Sequence, residues 1–188
     1  MEIWPLTATE LKQKIVDGEI SAREATESHL SRMDRLNDKL NAVVESCEVE
    51  ALKEADAVDK KRQKGDKLGA LAGVPVTVKV NVDQKGYATT NGLQLQKDLI
   101  AKTDNPVVKN LRRAEAIIIG RTNTPAFSLR WFTRNVIHGH TKNPINPLVI
   151  VNTLNGKGVK PAKKSVKSQI YIPLPSVSFD FKSLTLPS

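Results

Sequence analysis

Lys79 sits in the middle of an alternating apolar run, between Val78 and Val80. An amine placed there loses part of its hydration, and desolvation disfavours the ammonium form. A neutral lysine can then accept a proton from a hydroxyl nucleophile. The pattern alone leaves a second reading open, a lysine on the wet face of a half-buried strand. His138-Gly139-His140 sets two imidazoles on one side of an extended segment, as a metal site would begin. His29 is the remaining histidine and no acidic cluster lies near the His138–His140 pair in sequence, so no metal is expected. Cys47 is the single cysteine, which excludes an internal disulfide and a cysteine-based zinc site. Gly156-Lys157-Gly158 is too short to cradle phosphates, and the G-x-S-x-G elbow of α/β-hydrolases is absent. No cofactor is expected.

The elements that must position Lys79 are legible from periodicity. Thr7-Ala8-Thr9-Glu10 and Ser21-Ala22-Arg23-Glu24 are capping boxes and open two helices. The first carries Leu11 and Ile15 and stops at Gly18, whereas the second repeats Ala25, His29, Met33, Leu36 and Leu40 on one face. A third helix is predicted from about Glu48 to Gly65, with Leu52, Ala55 and Val58 inward and the basic run Lys60–Lys64 as a solvated end. The period then changes to two. Val74, Val76, Val78, Val80 and Val82 alternate with Pro75, Thr77, Lys79, Asn81 and Asp83, which predicts a strand with one apolar and one polar face. Asp104-Asn105-Pro106 starts a fourth helix with proline at its first position, and Ala116–Gly120 reads as a strand buried on both faces. Helices alternating with strands predict an α/β fold. The valine face should be buried, with Lys79 facing a crevice walled by the loop Thr122–Pro125.

The chain has 188 residues, of which 26% are charged and 39% hydrophobic, a composition suited to a globular protein. Its apolar stretches are too short to cross a bilayer, and the N-terminus has no secretory pattern, so no membrane association and a cytoplasmic address are expected. The net charge of +9 is unevenly spread. Residues 149–188 hold six lysines (157, 160, 163, 164, 167 and 182) against Asp180 alone. Four prolines and a loss of amphipathic periodicity accompany them. Two regions are therefore expected: 1–148, a packed domain, and 149–188, a basic, irregular tail. Ile170–Phe181 could form a short strand at most, because Pro173 and Pro175 exclude a central one.

Several ordered motifs carry a family resemblance. Leu71-Ala-Gly-Val-Pro-Val-Thr-Val-Lys79-Val-Asn81-Val-Asp83 resembles the lysine-bearing strand of the amidase signature family. In order after it come Asp104–Arg113, Ala116-Ile-Ile-Ile-Gly-Arg-Thr-Asn-Thr-Pro125 and His138-Gly-His-Thr-Lys-Asn-Pro144, and the capping-box helices resemble the family's N-terminal helices. The similarity runs from about Ile3 to Pro147. It implies the N-terminal helices and mixed-sheet strands of an amidase-signature-like α/β fold. It also implies hydrolysis of amide carbon–nitrogen bonds by a serine, a second serine preceded by a cis peptide bond, and a lysine. By position Lys79 matches the catalytic lysine, and Asn81 is a candidate supporting residue. A small-molecule amide is the implied substrate.

The Gly/Ser-rich segment that supplies both serines in the family does not follow Pro147, and the sequence there matches nothing in the family. The fold is therefore expected to be incomplete, with a poorly ordered C-terminal tail, through a frameshifted or truncated reading frame. No nucleophile is found. Thr77 lies two residues from Lys79 on the same strand face, and Ser165 and Ser168 fall in the basic tail, so the chain alone is expected not to hydrolyse amides. Smaller departures from the family pattern are Val80 where Asp is usual, Glu115 where Gly often ends the helix, and Ala126 where an acidic residue is common. Three alternatives stand beside the hydrolase reading. They are an amidase-type component of a tRNA-dependent amidotransferase, an interaction protein self-associating through an exposed sheet edge, and non-specific nucleic-acid binding through the tail. The last is disfavoured, because the tail's lysines are not interleaved with aromatics.

Overall fold

The computed structural model describes residues 2–145. The boundary at Leu148, the basic tail and the stretch Ile170–Phe181 lie outside the described residues.

Three helices form one layer. α1 (Ala8–Asp17) and α2 (Ala22–Leu40) both start with the reciprocal hydrogen bonds of a capping box, Thr7 with Glu10 and Ser21 with Glu24. Gly18 ends α1 in the left-handed conformation at φ 77°, which glycine adopts without steric cost. The buried stripe of α2 is Ala22, Ala25, Thr26, Leu30 and Met33. It is rotated from the expected one: His29, Leu36 and Leu40 are only half-buried. Small residues take the inner positions because α2 packs closely on α3 (Glu48–Gln63). The buried Thr26 hydroxyl is satisfied by the Ala22 carbonyl at 2.8 Å. Asp59 of α3 also accepts from the backbone N–H groups of Ala22 and Arg23 at 2.8 and 3.0 Å, satisfying two free donors of the α2 N-terminus. At the end of α3, Lys60, Gln63 and Lys64 are exposed, while Lys61 forms an ion pair with Glu115.

The sheet has three strands, β1 (Val43–Ser46), β2 (Pro75–Lys79) and β3 (Ile117–Thr122), in the order β1-β3-β2. β2 runs parallel to β3 and β1 antiparallel to it, so the sheet is mixed. Alternation along β3 sends Ile117 and Ile119 into the core beneath α1–α3. Ile118 points to the other face, where Cys47, Val78 and Val108 of α4 (Pro106–Arg113) meet it. Both faces are thus covered, as the all-apolar run 116–119 requires. Of the valine series, Val74, Val78 and Val80 are buried, whereas Val76 and Val82 are half-buried against the second cluster.

β3 continues past the expected Gly120 into Arg121, which is fully buried. Its guanidinium donates to Glu45 at 2.7 Å, to the Ala88 carbonyl at 2.7 Å and to the Val82 carbonyl at 3.0 Å. A buried charge needs such partners. Here they fix the segment that follows Lys79. Glu115 occupies a left-handed position at φ 63°, and its carboxylate accepts from Gly69 N–H and pairs with Lys61. The side chain thus makes interactions that glycine there could not. The sequence from Thr122 to Pro147, with Pro125, Pro144 and Pro147, reads as loop; its described part contains a minimal hairpin of β4 (Arg134–Asn135) and β5 (Gly139–His140). Among the described residues, no helix is long and apolar enough to cross a membrane.

Candidate active site

Lys79 and Thr122 are register partners and the last residues of the two parallel strands. Side chains at this end of the sheet face the loops that leave it, where α/β folds place ligands. Three of them converge on one hydroxyl. Ser128 Oγ lies 3.0 Å from Lys79 Nζ, 3.2 Å from Asn81 Nδ2 and 2.8 Å from Thr124 Oγ1. Lys79, Asn81 and Ser128 are half-buried and Thr124 is buried. Burial draws the Lys79 ammonium below the ordinary lysine range. The cause is lost hydration, and no carboxylate pairs with this amine among the described residues.

The loop that brings Ser128 to Lys79 is held by an amide network. Asn135 Nδ2 donates to Asn123 Oδ1 and to the Thr124 carbonyl, each at 2.7 Å. Asn123 Oδ1 also accepts from Thr124 N–H at 2.9 Å, and its Nδ2 donates to Thr141 Oγ1 at 3.1 Å. The Asn91 carbonyl accepts from Phe127 N–H at 2.9 Å. A Cβ on Gly92 would meet Asn135 Cβ and Ala126 N at 3.0 and 3.1 Å, so the close approach of this loop needs glycine. Phe127 and Ser128 are both left-handed, at φ 52° and 58°. Two consecutive non-glycine residues in that region are uncommon.

Lys79 and Asn81, singled out in the sequence, therefore stand together on one acceptor. The histidine pair does something else. The His138 and His140 carbonyls accept from Asn41 Nδ2 at 2.5 and 3.0 Å, tying the hairpin to the end of α2. No group of three or more His, Cys, Asp or Glu among the described residues could hold a metal ion. Cys47 is buried and free, and burial pushes its thiol up, away from the reactive thiolate. Ser128 is the residue that sequence reasoning misses. The hydroxyls that pattern suggests are Thr77, Ser165 and Ser168; the two tail serines lie outside the described residues. The faint signal for Ser128 is its place just beyond the strand end, three residues past Pro125. A concavity lined by Glu54, Lys61, Arg112 and Glu115 lies at the opposite end of the strands, where Ile117 pairs with Pro75. The ion pairs Lys61–Glu115 and Arg112–Glu54 already engage its charged groups.

Known proteins resemble this chain in sequence and in structure. The sequence profile of the Amidase family matches residues 24–151. The indoleacetamide hydrolase of Bradyrhizobium diazoefficiens is 52% identical over 145 residues, covering 77% of this chain and 28% of that protein. A glutamyl-tRNA(Gln) amidotransferase subunit of Streptomyces coelicolor is 39% identical over 143 residues, covering 76% of this chain and 29% of that protein. In structure, a bacterial aryl acylamidase of the amidase signature family superposes with a TM-score of 0.75 at 28% identity, covering 80% of this chain and 32% of that one. The chain thus spans less than a third of the length of these relatives.

Proposed function

The chain belongs to the amidase family, and on that premise we propose that its described residues carry the lysine half of an amide-hydrolysing site, with Lys79 as the proton acceptor. The observation that carries this reading is the contact of a partly desolvated Lys79 Nζ with a hydroxyl at 3.0 Å, at the carboxyl ends of the parallel strands. A lysine whose neutral form is favoured by burial can take the proton of a serine and return it to the leaving amine. Asn81 supports the site by donating to the same hydroxyl. The substrate class is a small primary amide, with the 52% identity to the indoleacetamide hydrolase as the guide. No metal or cofactor takes part, and the site works in the cytoplasm.

The sequence holds no G-G-S-S-G-G run, so the serine nucleophile and oxyanion donors of the family mechanism must come from elsewhere for full turnover. The test is a hybrid in which residues 1–145 of this chain replace the matched stretch of the indoleacetamide hydrolase. The hybrid is expected to hydrolyse indoleacetamide, and Lys79→Ala to lower kcat by about 10²–10⁴-fold, the range for a positioned acid–base group. A hybrid equally active with alanine at position 79 would overturn the role given to the lysine. The amidotransferase reading has its own support in the 39% identity to the Streptomyces coelicolor protein. A second hybrid, built into that protein and assayed for glutamine-dependent amidation, tests it separately. Self-association through the outer strands β1 and β2 predicts a dimer in sedimentation of the purified chain.

A further inference from the structure

We propose that Ser128 is itself a lysine-activated nucleophile, forming with Lys79 a Ser–Lys pair within this chain that accepts acyl or phosphonyl groups from activated donors. The proposal rests on the reading of Lys79 as a proton acceptor and assigns that lysine a partner of its own.

Three features of the geometry carry it. The hydroxyl lies 3.0 Å from Lys79 Nζ, an amine that can take its proton. When Lys79 is neutral, Ser128 O–H donates to Nζ. The two remaining lone-pair positions of Oγ then face Asn81 Nδ2–H at 3.2 Å and the Thr124 hydroxyl at 2.8 Å, and one of these hydrogen bonds is given up when that lone pair bonds to the electrophile. Two donors aimed at an oxygen stabilise the charge that grows on it as the proton leaves. Ser128 also stands on a left-handed backbone at φ 58°, next to Phe127 at φ 52°. Such positions are strained and persist where surrounding structure enforces them. Here the enforcing contacts are the Asn91 carbonyl on Phe127 N–H and the Pro125 carbonyl on Ser128 N–H, each at 2.9 Å. Finally, Ser128 is only half-buried and Phe127 beside it is exposed, so the segment that carries Oγ borders solvent. The depressed basicity of Lys79 agrees with this arrangement.

With a fluorophosphonate the step balances as follows. The Ser128 O–H bond breaks and its proton moves to Lys79 Nζ, giving the ammonium. The Oγ–P bond forms, and the P–F bond breaks with fluoride taking the electron pair. An unactivated amide leaves far less readily, which reconciles a reactive Ser128 with a chain that does not turn amides over.

The experiment labels the purified 188-residue chain with an alkyl fluorophosphonate and follows the adduct by intact mass and peptide mapping. One adduct is expected, on the peptide holding Ser128. Its rate should rise with pH along a single titration below the ordinary lysine range. Ser128→Gly should abolish it without loss of the fold, because glycine takes φ 58° freely. Thermal melting checks that point. Lys79→Ala and Lys79→Arg should each slow labelling about 10²-fold or more, arginine because it keeps the charge but cannot accept a proton. An adduct on another residue overturns the proposal. So does labelling of Ser128 that is indifferent to Lys79→Ala, or that Lys79→Arg preserves. Absence of a Ser128 adduct, in a chain whose indoleacetamidase hybrid still depends on Lys79, overturns the pair and leaves the lysine reading intact. Insensitivity of that hybrid to Lys79→Ala overturns the reading beneath it.

Discussion

The helical layer and the strand-end site are built on different principles. In α1 and α2 the decisive contacts join residues three or four apart: Thr7 to Glu10, Ser21 to Glu24, Thr26 to Ala22. The apolar stripes that follow then collapse on β3 through Ile117 and Ile119. At the site, Lys79 and Asn81 meet a serine 49 and 47 residues away, and the loop carrying it is held by side-chain amides rather than by apolar packing. One region draws its stability from burial; the other accepts backbone strain to place a hydroxyl. Mutations should therefore separate folding from reactivity.

The strongest break of that separation would come from the core. Ile15 is fully buried within the helical cluster that also holds Ala22, so Ile15→Ala is expected to cost about 2–5 kcal/mol in urea unfolding. The fraction that remains folded should keep the fluorophosphonate reactivity of Ser128. Loss of both together would show that the two regions are one cooperative device. A middle effect is expected at Asp59, whose carboxylate spans the first two N–H groups of α2 from a neighbouring helix. Asp59→Ala leaves those donors short of a partner and should cost about 1–3 kcal/mol, measured by the shift in denaturation midpoint. Thr7→Ala removes a purely local cap and should cost about 1 kcal/mol. Comparing the last two gives the worth of a tertiary cap over a local one.

The smallest expected effects are in pH dependence. Burial lowers the pKa of His29 and of Lys79. For each, the unfolded chain holds a proton that the folded chain has released over the window between the depressed folded value and the ordinary one. Stability should rise with pH through that window. His29 therefore contributes a loss of stability as pH falls from the ordinary histidine range into acid, as does His138, whose pKa burial also lowers; His29→Gln should reduce that loss and His29→Gln with His138→Gln should flatten it. Lys79 contributes a rise on the alkaline side that Lys79→Met should remove. Thermal melting across pH measures both. An acid-side slope unchanged in the double histidine variant, or an alkaline one unchanged by Lys79→Met, would assign the titration to another group.

The elements are largely readable from the sequence because their signals are local. Both capping boxes, Gly18 as a helix stop, Pro106 at a helix start and the doubly apolar run 116–119 each depend on a few neighbouring residues, and each takes the structure expected of it. Periodicity alone misplaces the α2 stripe by about one position, since which side faces α3 depends on the partner helix. Arg121 reads as a residue just past a strand and is instead its buried anchor, because three acceptors from separate segments surround it.

What the sequence by itself determined is the α/β frame and a lysine on the polar face of a half-buried strand, along with the motifs that place the chain in its family. Period-two and period-3.6 patterns fix which faces are apolar, but the alternation runs on to Asp83 and puts Lys79 in mid-strand, whereas β2 ends at Lys79 and the chain turns at Val80. Only the tertiary structure decided which hydroxyl meets the amine. Ser128 carries no sequence mark of its left-handed backbone, as a glycine would. Its position is set by Asn91, Asn123 and Asn135, whose hydrogen bonds close only once β3, the turn at Gly92 and the short hairpin have come together. A polar contact across 49 residues is satisfied by geometry in three dimensions, and no local propensity encodes it.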